Sequence, residues 1–417
     1  MIPILKGQAA ERYVSQLERR STRLETIEPG VRRILKDVRN YGDRGLLKYA
    51  RRFDGLRGKP QLRVSSAEMR AAWLKSPDAL RASLETAAGN IRKFSEWQKP
   101  QSWLRPNAGI SLGQLLRPLG SVGCYVPGGR FPLVSTLLMT VVPAQVAGVR
   151  SIRVVSPRPS REVLAAAYML GISHFYRVGG AQAVAALAYG TETIPRVDKI
   201  VGPGNSYVTA AKKLVSFDCA IDMLAGPTEA VVVSMKGNPA FIAADLRAQA
   251  EHDPEALAVF ITASARLARS VAKELATPAG PGDENRIATQ ALARNGAVLV
   301  ASSLQQAFAW SNRIAPEHIT VEKPTLALVQ NAGSVFIGDY SAQAAGDYAS
   351  GPNHVLPTGG AARFRGGLSV VDFLKLITVQ ELSRKGLRRI APTVLQLAET
   401  EGLRAHACSV RVRYAHA

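Results

Sequence analysis

Six histidines occur, at positions 174, 252, 318, 354, 406 and 416, few enough for each to be judged by its neighbours. In QAEHDP, Gln249 and His252 stand three apart at the end of a helical stretch, so both project from one face. That spacing suits two ligands on one metal ion, and also a polar helix end solvated by water. APEHITV sets Glu317 beside His318 in a proline-initiated turn entering a strand, an arrangement suited to proton transfer and also found in surface pairs. GDYASGPNHVLPTGG holds Asp347 and His354 in a long loop rich in glycine and proline. Loops of that length are functional or disordered, and the regular structure around this one argues against disorder. A catalytic zinc site takes nitrogen, sulfur or oxygen ligands and keeps a position open; no local ligand pair here closes such a site unaided.

Three glycine-rich turns, YVPGGR, VGGAQAV and VGPGNSY, lie near strand ends, where backbone N–H groups can approach an anion. None is a GxGxxG fingerprint or a GxxxxGK[ST] phosphate loop. Each alone reads equally as a structural turn, while three in consecutive αβ units mark a candidate nucleotide-facing edge.

The elements that must position these groups change character along the chain. Residues 1–105 read as mostly helical, with apolar residues at helical spacing in Val31, Ile34, Leu35 and Val38. From Ser151 onward, short β-branched runs alternate with helical stretches: IRVVS, FYRVG, KIVG, CAIDM, AVVVS, LAVFITA, AVLVA and SVFIG. Strands alternating with helices imply parallel pairing. The reading is an α/β protein with two incomplete Rossmann-like parallel-sheet domains, a helical N-terminal segment and a C-terminal arm. The boundaries are an N-terminal extension over 1–20, a first α/β domain from 21–120 plus 229–368, an inserted α/β unit over 121–228 and an arm over 369–417. After Ser369 the tail reads as helical until VRVRY.

The chain has 417 residues and a formal net charge of +21. A positive field attracts phosphate backbones. Its arginines are scattered, however, with no long like-charge run and no aromatic-interleaved basic motif, which argues against nucleic acid as the partner. Cys124, Cys219 and Cys408 are widely spaced, the first thirty residues hold no signal-like apolar core, and the apolar stretch Phe131 to Val149 is broken by prolines and polar residues. A cytoplasmic protein with no membrane span is expected.

The stretches GCYVPGGRFPLVSTLLMTVVPAQVAGV, VGGAQAVAALAYGTETIPRVDKIVGPGNSYVTAAKK, IDMLAGPTEAVVV, ADLRAQAEHDP, APEHITVE, GDYASGPNHVLPT, ARFRGGLSVVDF and EGLRAH together resemble the histidinol dehydrogenase family, in family order. The resemblance covers most of residues 120–410. It implies a zinc- and NAD-dependent enzyme that oxidises L-histidinol through the aldehyde to L-histidine, acting as an intertwined homodimer. By position, Gln249, His252, Asp347 and His406 match zinc ligands, His406 being supplied across the dimer, and the C-terminal arm is exchanged between subunits. Glu317 and His318 match the catalytic pair, His318 as base toward the alcohol and Glu317 as activator of water. Thr228, His354 and Glu401 match substrate contacts, and Tyr125, Gln182 and Asn205 match NAD contacts. Two departures stand out: Thr228 where serine is common, and Arg365 with Gly366 where small serines are usual. RFPLVSTLL also resembles relatives that oxidise other small alcohols, sulfonated diols among them, so that substrate is the alternative. A catalytically idle basic binding protein is the reading from another class.

Overall fold

A computed structural model describes residues 2–415 except 21–23, 59–60, 129–132 and 278–285. The chain opens with β1 (Ile4–Lys6) and α1 (Gly7–Glu18), then α2 (Glu28–Phe53), α3 (Ser66–Leu74), α4 (Asp78–Gln98) and a hairpin of β2 (Trp103–Asn107) and β3 (Ile110–Pro118). An alternating unit follows: β4 (Ser121–Tyr125), α5 (Val134–Ala147), β5 (Ser151–Val155), α6 (Arg161–Met169), β6 (His174–Tyr176), α7 (Gly180–Tyr189), β7 (Lys199–Val201), α8 (Ser206–Val215) and β8 (Ala220–Ile221). A second comprises β9 (Glu229–Val233), α9 (Pro239–Ala250), β10 (Leu257–Thr262), α10 (Ala265–Ala276), α11 (Arg286–Asn295), β11 (Gly296–Val300), α12 (Leu304–Ile314), β12 (His318–Val321), β13 (Ser334–Ile337) and α13 (Gln343–Tyr348). The arm contains β14 (Leu374–Leu382), α14 (Arg384–Thr400) and α15 (Arg404–Ala415).

Two parallel sheets result, ordered β1-β11-β10-β9-β12-β13 and β6-β5-β4-β7-β8, with a separate antiparallel sheet β14-β3-β2. The mixed α/β class with parallel sheets is as expected. Central strands such as β9 and β10 are buried along their whole length, and this is why they read as continuous apolar runs rather than alternating ones. Each parallel sheet is covered on both faces, with Val231, Val259 and Ile319 in one core layer and Val232, Phe260 and Leu246 in the opposite one.

Several local expectations change. Residues 1–20 are no appended extension: β1 is an edge strand paired with β11, and α1 packs on α12. The helices of 28–98 cover the second sheet's unit, α2 against α7 and α8, α3 against α6 and α4 against α5, a packing that differs from grouping 21–120 with 229–368. An amphipathic helix shows which face it buries but not which sheet it will find. Trp103–Asn107 pairs in a sheet rather than continuing the helical leader. KLITVQEL, within the tail read as helical, is strand β14, its β-branched residues satisfied by nine register pairs with β3. VRVRY, the expected end of helix, lies within α15 as far as its described residues run.

Candidate active site between the two sheets

The Glu317–His318 dipeptide sits where the chain enters β12, a strand flanked by β9 and β13. His318 is opposite Ala230, so the start of β9 lies directly alongside. Both side chains are inside, Glu317 at 7% and His318 at 3% exposure. The Thr228 hydroxyl donates to Glu317 Oε2 at 2.6 Å and the Glu229 N–H to the same oxygen at 2.9 Å. His318 Nδ1 donates to the Glu229 carbonyl at 3.2 Å, which leaves Nε2 facing Asp347 Oδ1 at 3.5 Å. One residue's main chain therefore holds both members of the pair, its N–H on the acid and its carbonyl on the imidazole.

Burial raises Glu317 to about 7, against the pull of His318 and its two donors. Burial alone would lower His318, but the Glu317 carboxylate and the Asp347 contact outweigh it and lift the imidazole to about 9. Asp347 responds oppositely: burial would raise it, and its hydrogen bond and attraction to His318 bring it below the ordinary carboxylate range. Burial holds His354 low despite Asp347 beside it. His354 Nδ1 donates to the Asp347 carbonyl at 2.8 Å, and Nε2 lies 3.5 Å from Thr136 Oγ1 at the start of α5.

Asn238 caps α9 and Pro239 starts it; the helix then runs back so that its last turn delivers buried Gln249, with His252 just beyond, to the beginning of β9. Gln249 Nε2 donates to the Thr228 hydroxyl, so its carbonyl oxygen is not used in that bond. His252 is close enough to influence both Asp347 and His354. It also lines a cavity of about 590 Å³ walled by Leu84, Val134 and Leu138. Gln249, His252, Asp347, Thr228, Glu317, His318 and His354 are thus gathered in one place.

His406 and Glu401 are not. Both are exposed on the arm, where α15 packs on α14, and no described hydrogen bond or ion pair connects either to this cluster. Among the described residues, no group of three or more His, Cys, Asp or Glu is arranged to hold a metal. Gln249, His252 and Asp347 would offer a metal ion an amide oxygen, an imidazole and a carboxylate, one ligand short of a four-coordinate protein site.

The His354 loop reaches the start of α5, the helix that follows β4 of the second sheet. That sheet's order reverses between β4 and β7, the switch point where open α/β sheets leave a crevice. Tyr125 ends β4, Gln182 follows the Gly179–Gly180 turn and Asn205 closes the turn after β7. Asn205 Oδ1 accepts from the Tyr207 and Val208 N–H groups, so its remaining amide N–H bonds point away from that work. The Gly180 N–H donates to the Tyr125 hydroxyl at 2.9 Å. Gly202 has φ +111, and a Cβ there would collide with the Tyr125 carbonyl. Buried Lys212 and Asp222 pair beneath this turn and bond its carbonyl and N–H respectively.

Sequence reasoning missed three residues that shape the site. Arg20 clamps Glu229 through two bonds of 2.7 Å, Asp54 reaches the turn bearing Gln182, and Lys212 pairs with Asp222. No short motif marks them as paired: Arg20 and Asp54 have partners far away in sequence, while Lys212 lies at the end of a resembling stretch and meets Asp222 just past β8.

A family model described as histidinol dehydrogenase matches residues 17–414. The chain belongs to the histidinol dehydrogenase family. Among relatives carrying that name, the protein of Aquifex aeolicus is 45% identical over 395 residues, covering 93% of each chain. That of Geobacter sulfurreducens is 47% identical over 399 residues, again covering 93% of each. The crystal structure of histidinol dehydrogenase from Elizabethkingia anophelis superposes with TM-score 0.94 at 36% identity, covering all of this chain and 98% of that one. Histidinol dehydrogenases are NAD-dependent oxidoreductases of histidine biosynthesis, and the chain is an enzyme of that class.

Proposed function

We propose that the chain oxidises L-histidinol through L-histidinaldehyde to L-histidine, reducing two NAD, at a zinc site completed by a second subunit. The observation that carries this is the buried Glu317–His318 pair, bonded to Thr228, Glu229 and Asp347, with Gln249 and His252 beside it.

In the first oxidation, His318 Nε2 takes the hydroxyl proton while hydride leaves the alcohol carbon for NAD, giving aldehyde and NADH. Its Nδ1 is fixed on the Glu229 carbonyl, so in the neutral ring Nε2 is the nitrogen left free to accept a proton. Holding a cation at Asp347 would take negative charge off His318 and favour the neutral base. In the second oxidation, Glu317 removes a proton from water adding to the aldehyde, and the hydrate delivers its hydride to a second NAD. A carboxyl raised to about 7 is well matched to that step near neutrality. Gln249, His252 and Asp347, with His406 of the partner subunit, would hold zinc, and the ion would supply an anchor for substrate nitrogens. Thr228, His354 and Glu401 would contact substrate, and Tyr125, Gln182 and Asn205 the NAD.

Exposed apolar side chains on the arm and its sheet, including Leu376, Ile377, Leu397 and Val412, support a homodimer with shared sites. A cytoplasmic enzyme fits its three free cysteines, two of them buried, and among the described residues no helix is long and apolar enough to cross a membrane. The basic surface is read as solvating rather than as a nucleic-acid site.

The test is the NADH yield per histidinol: two equivalents are expected, falling to none after chelation and returning with zinc. Turnover of 2,3-dihydroxypropanesulfonate with none of histidinol would replace the substrate assignment.

A further inference from the structure

Asp54 follows α2, at the end of RRFD, far in sequence from every element of the cofactor edge. Its exposure is 6%, yet no described cation forms an ion pair with its carboxylate. What it has instead are donors from the turn after β6: the Gly179 N–H at 3.2 Å and the Gln182 side-chain Nε2 at 3.0 Å, both on Oδ2. The next N–H along, from Gly180, goes to the Tyr125 hydroxyl. Gly180 has φ +62, and Gly179 lies so close to Pro157 that a Cβ would overlap its ring. The turn is therefore shaped for close packing and pinned from two sides, by Asp54 and by Tyr125.

A buried carboxylate without a cation is costly unless its bonds are used. Burial raises Asp54, opposed by the Gly179 and Gln182 donors and more weakly by Arg158. A carboxylate is an acceptor only, so Nε2 of Gln182 must turn toward it and Oε1 away. The amide is thereby left with Oε1 as an acceptor turned away from Asp54 and one further N–H on Nε2. The group that meets Oε1 must be a donor, such as a ribose hydroxyl or a carboxamide N–H.

We propose that Asp54 is a positioning residue for the dinucleotide. By fixing both the Gly179–Gly180 turn and the polarity of the Gln182 amide, it presents Tyr125 and Gln182 in the arrangement that receives a hydroxyl-bearing cofactor. This rests on the reading of that edge as the NAD site. Asp54 touches neither substrate nor reacting atoms and acts through Gln182.

The experiment is equilibrium titration of NAD into zinc-loaded full-length wild type, Asp54→Asn, Gln182→Met and the double variant, followed by calorimetry with no turnover. Melting temperature is recorded for each. Asparagine keeps the shape of the side chain but can turn a donor toward Gln182. Losing a hydrogen bond to a charged group corresponds to about a tenfold weaker NAD Kd. Asp54→Asn is expected to show that loss in the wild-type background and almost none in Gln182→Met, with histidinol affinity unchanged in all four. Wild-type NAD affinity in Asp54→Asn overturns the proposal. So does the same loss in both backgrounds, since Asp54 would then act other than through Gln182. If Asp54→Asn melts before it can be titrated, Asp54→Glu is read in its place: a carboxylate displaced by one methylene should also weaken NAD, and wild-type affinity there overturns the proposal. Failure of wild type itself to bind NAD would remove the site reading, an outcome distinct from all of these.

Discussion

Arg20→Met would remove the cation from the Arg20–Glu229 pair and leave a carboxylate only 4% exposed with no counter-charge. Two 2.7 Å bonds disappear, together with those from Arg20 to the Leu17 and Ile314 carbonyls. Breaking one side of a buried ion pair costs about 3–5 kcal/mol. Arg20 is 18% exposed, and a cavity of about 240 Å³ touches both residues, so water can partly rehydrate the orphaned carboxylate. The low end, about 3 kcal/mol, is therefore expected. Glu229→Gln should cost less, and the double variant should be more stable than Arg20→Met alone, because the buried charge is gone. Urea unfolding of the four proteins gives the coupling directly, about 2 kcal/mol for a pair in direct contact. Turnover supplies a second readout. Since the Glu229 main chain holds both Glu317 and His318, kcat should fall at least about tenfold for a shift costing 1.4 kcal/mol in the transition state. NAD affinity should not change, as the cofactor turns belong to the other sheet. A loss below about 1 kcal/mol, or strict additivity in the cycle, would refute the reasoning.

Three further outcomes are expected. His318→Asn should lower histidinol turnover by about 10²- to 10⁴-fold with NAD binding intact, and wild-type turnover would remove His318 as the base. Gly202→Ala meets both a left-handed φ of +111 and the Tyr125 carbonyl, so calorimetry should show weakened NAD binding and a melt should show lost stability of about 1–3 kcal/mol; an unchanged melt contradicts this. Burial raises Asp245 from 3.8 to about 6, so the folded chain holds this proton more tightly than the unfolded chain. Its contribution is then fully present below pH 4 and lost as pH rises through 6. Asp245→Asn should accordingly match wild type at low pH and exceed it by about 1 kcal/mol near pH 8, the shift being discounted for partial solvent screening. The opposite trend in melting temperature would show that the native carboxylate is favoured instead.

Much of the architecture is written in local order. β-branched runs such as AVVVS and LAVFITA announce buried parallel strands because the side chains on both faces must be apolar, and that requirement survives in a linear string. Asn238 and Pro239 mark where α9 begins, and its length carries Gln249 and His252 to one end of the sheet. APEHITV and GDYASGPNH could be singled out because unusual polar residues interrupt otherwise structural text. Helices 28–98 were equally legible as helices, yet their apolar stripes would fit either sheet, and only packing chose the second. KLITVQEL became a strand because β3 was there to receive its backbone. Arg20 and Asp54 carried no signal, since a charge in a sequence is silent about the distant group that compensates it, and Lys212 was visible only as part of the stretch ending VTAAKK, without its pairing to Asp222. Charge compensation and hydrogen-bond polarity act through space over a few ångströms, so they are settled only when the chain has brought Glu229 to Arg20, Gln182 to Asp54 and Asp222 to Lys212.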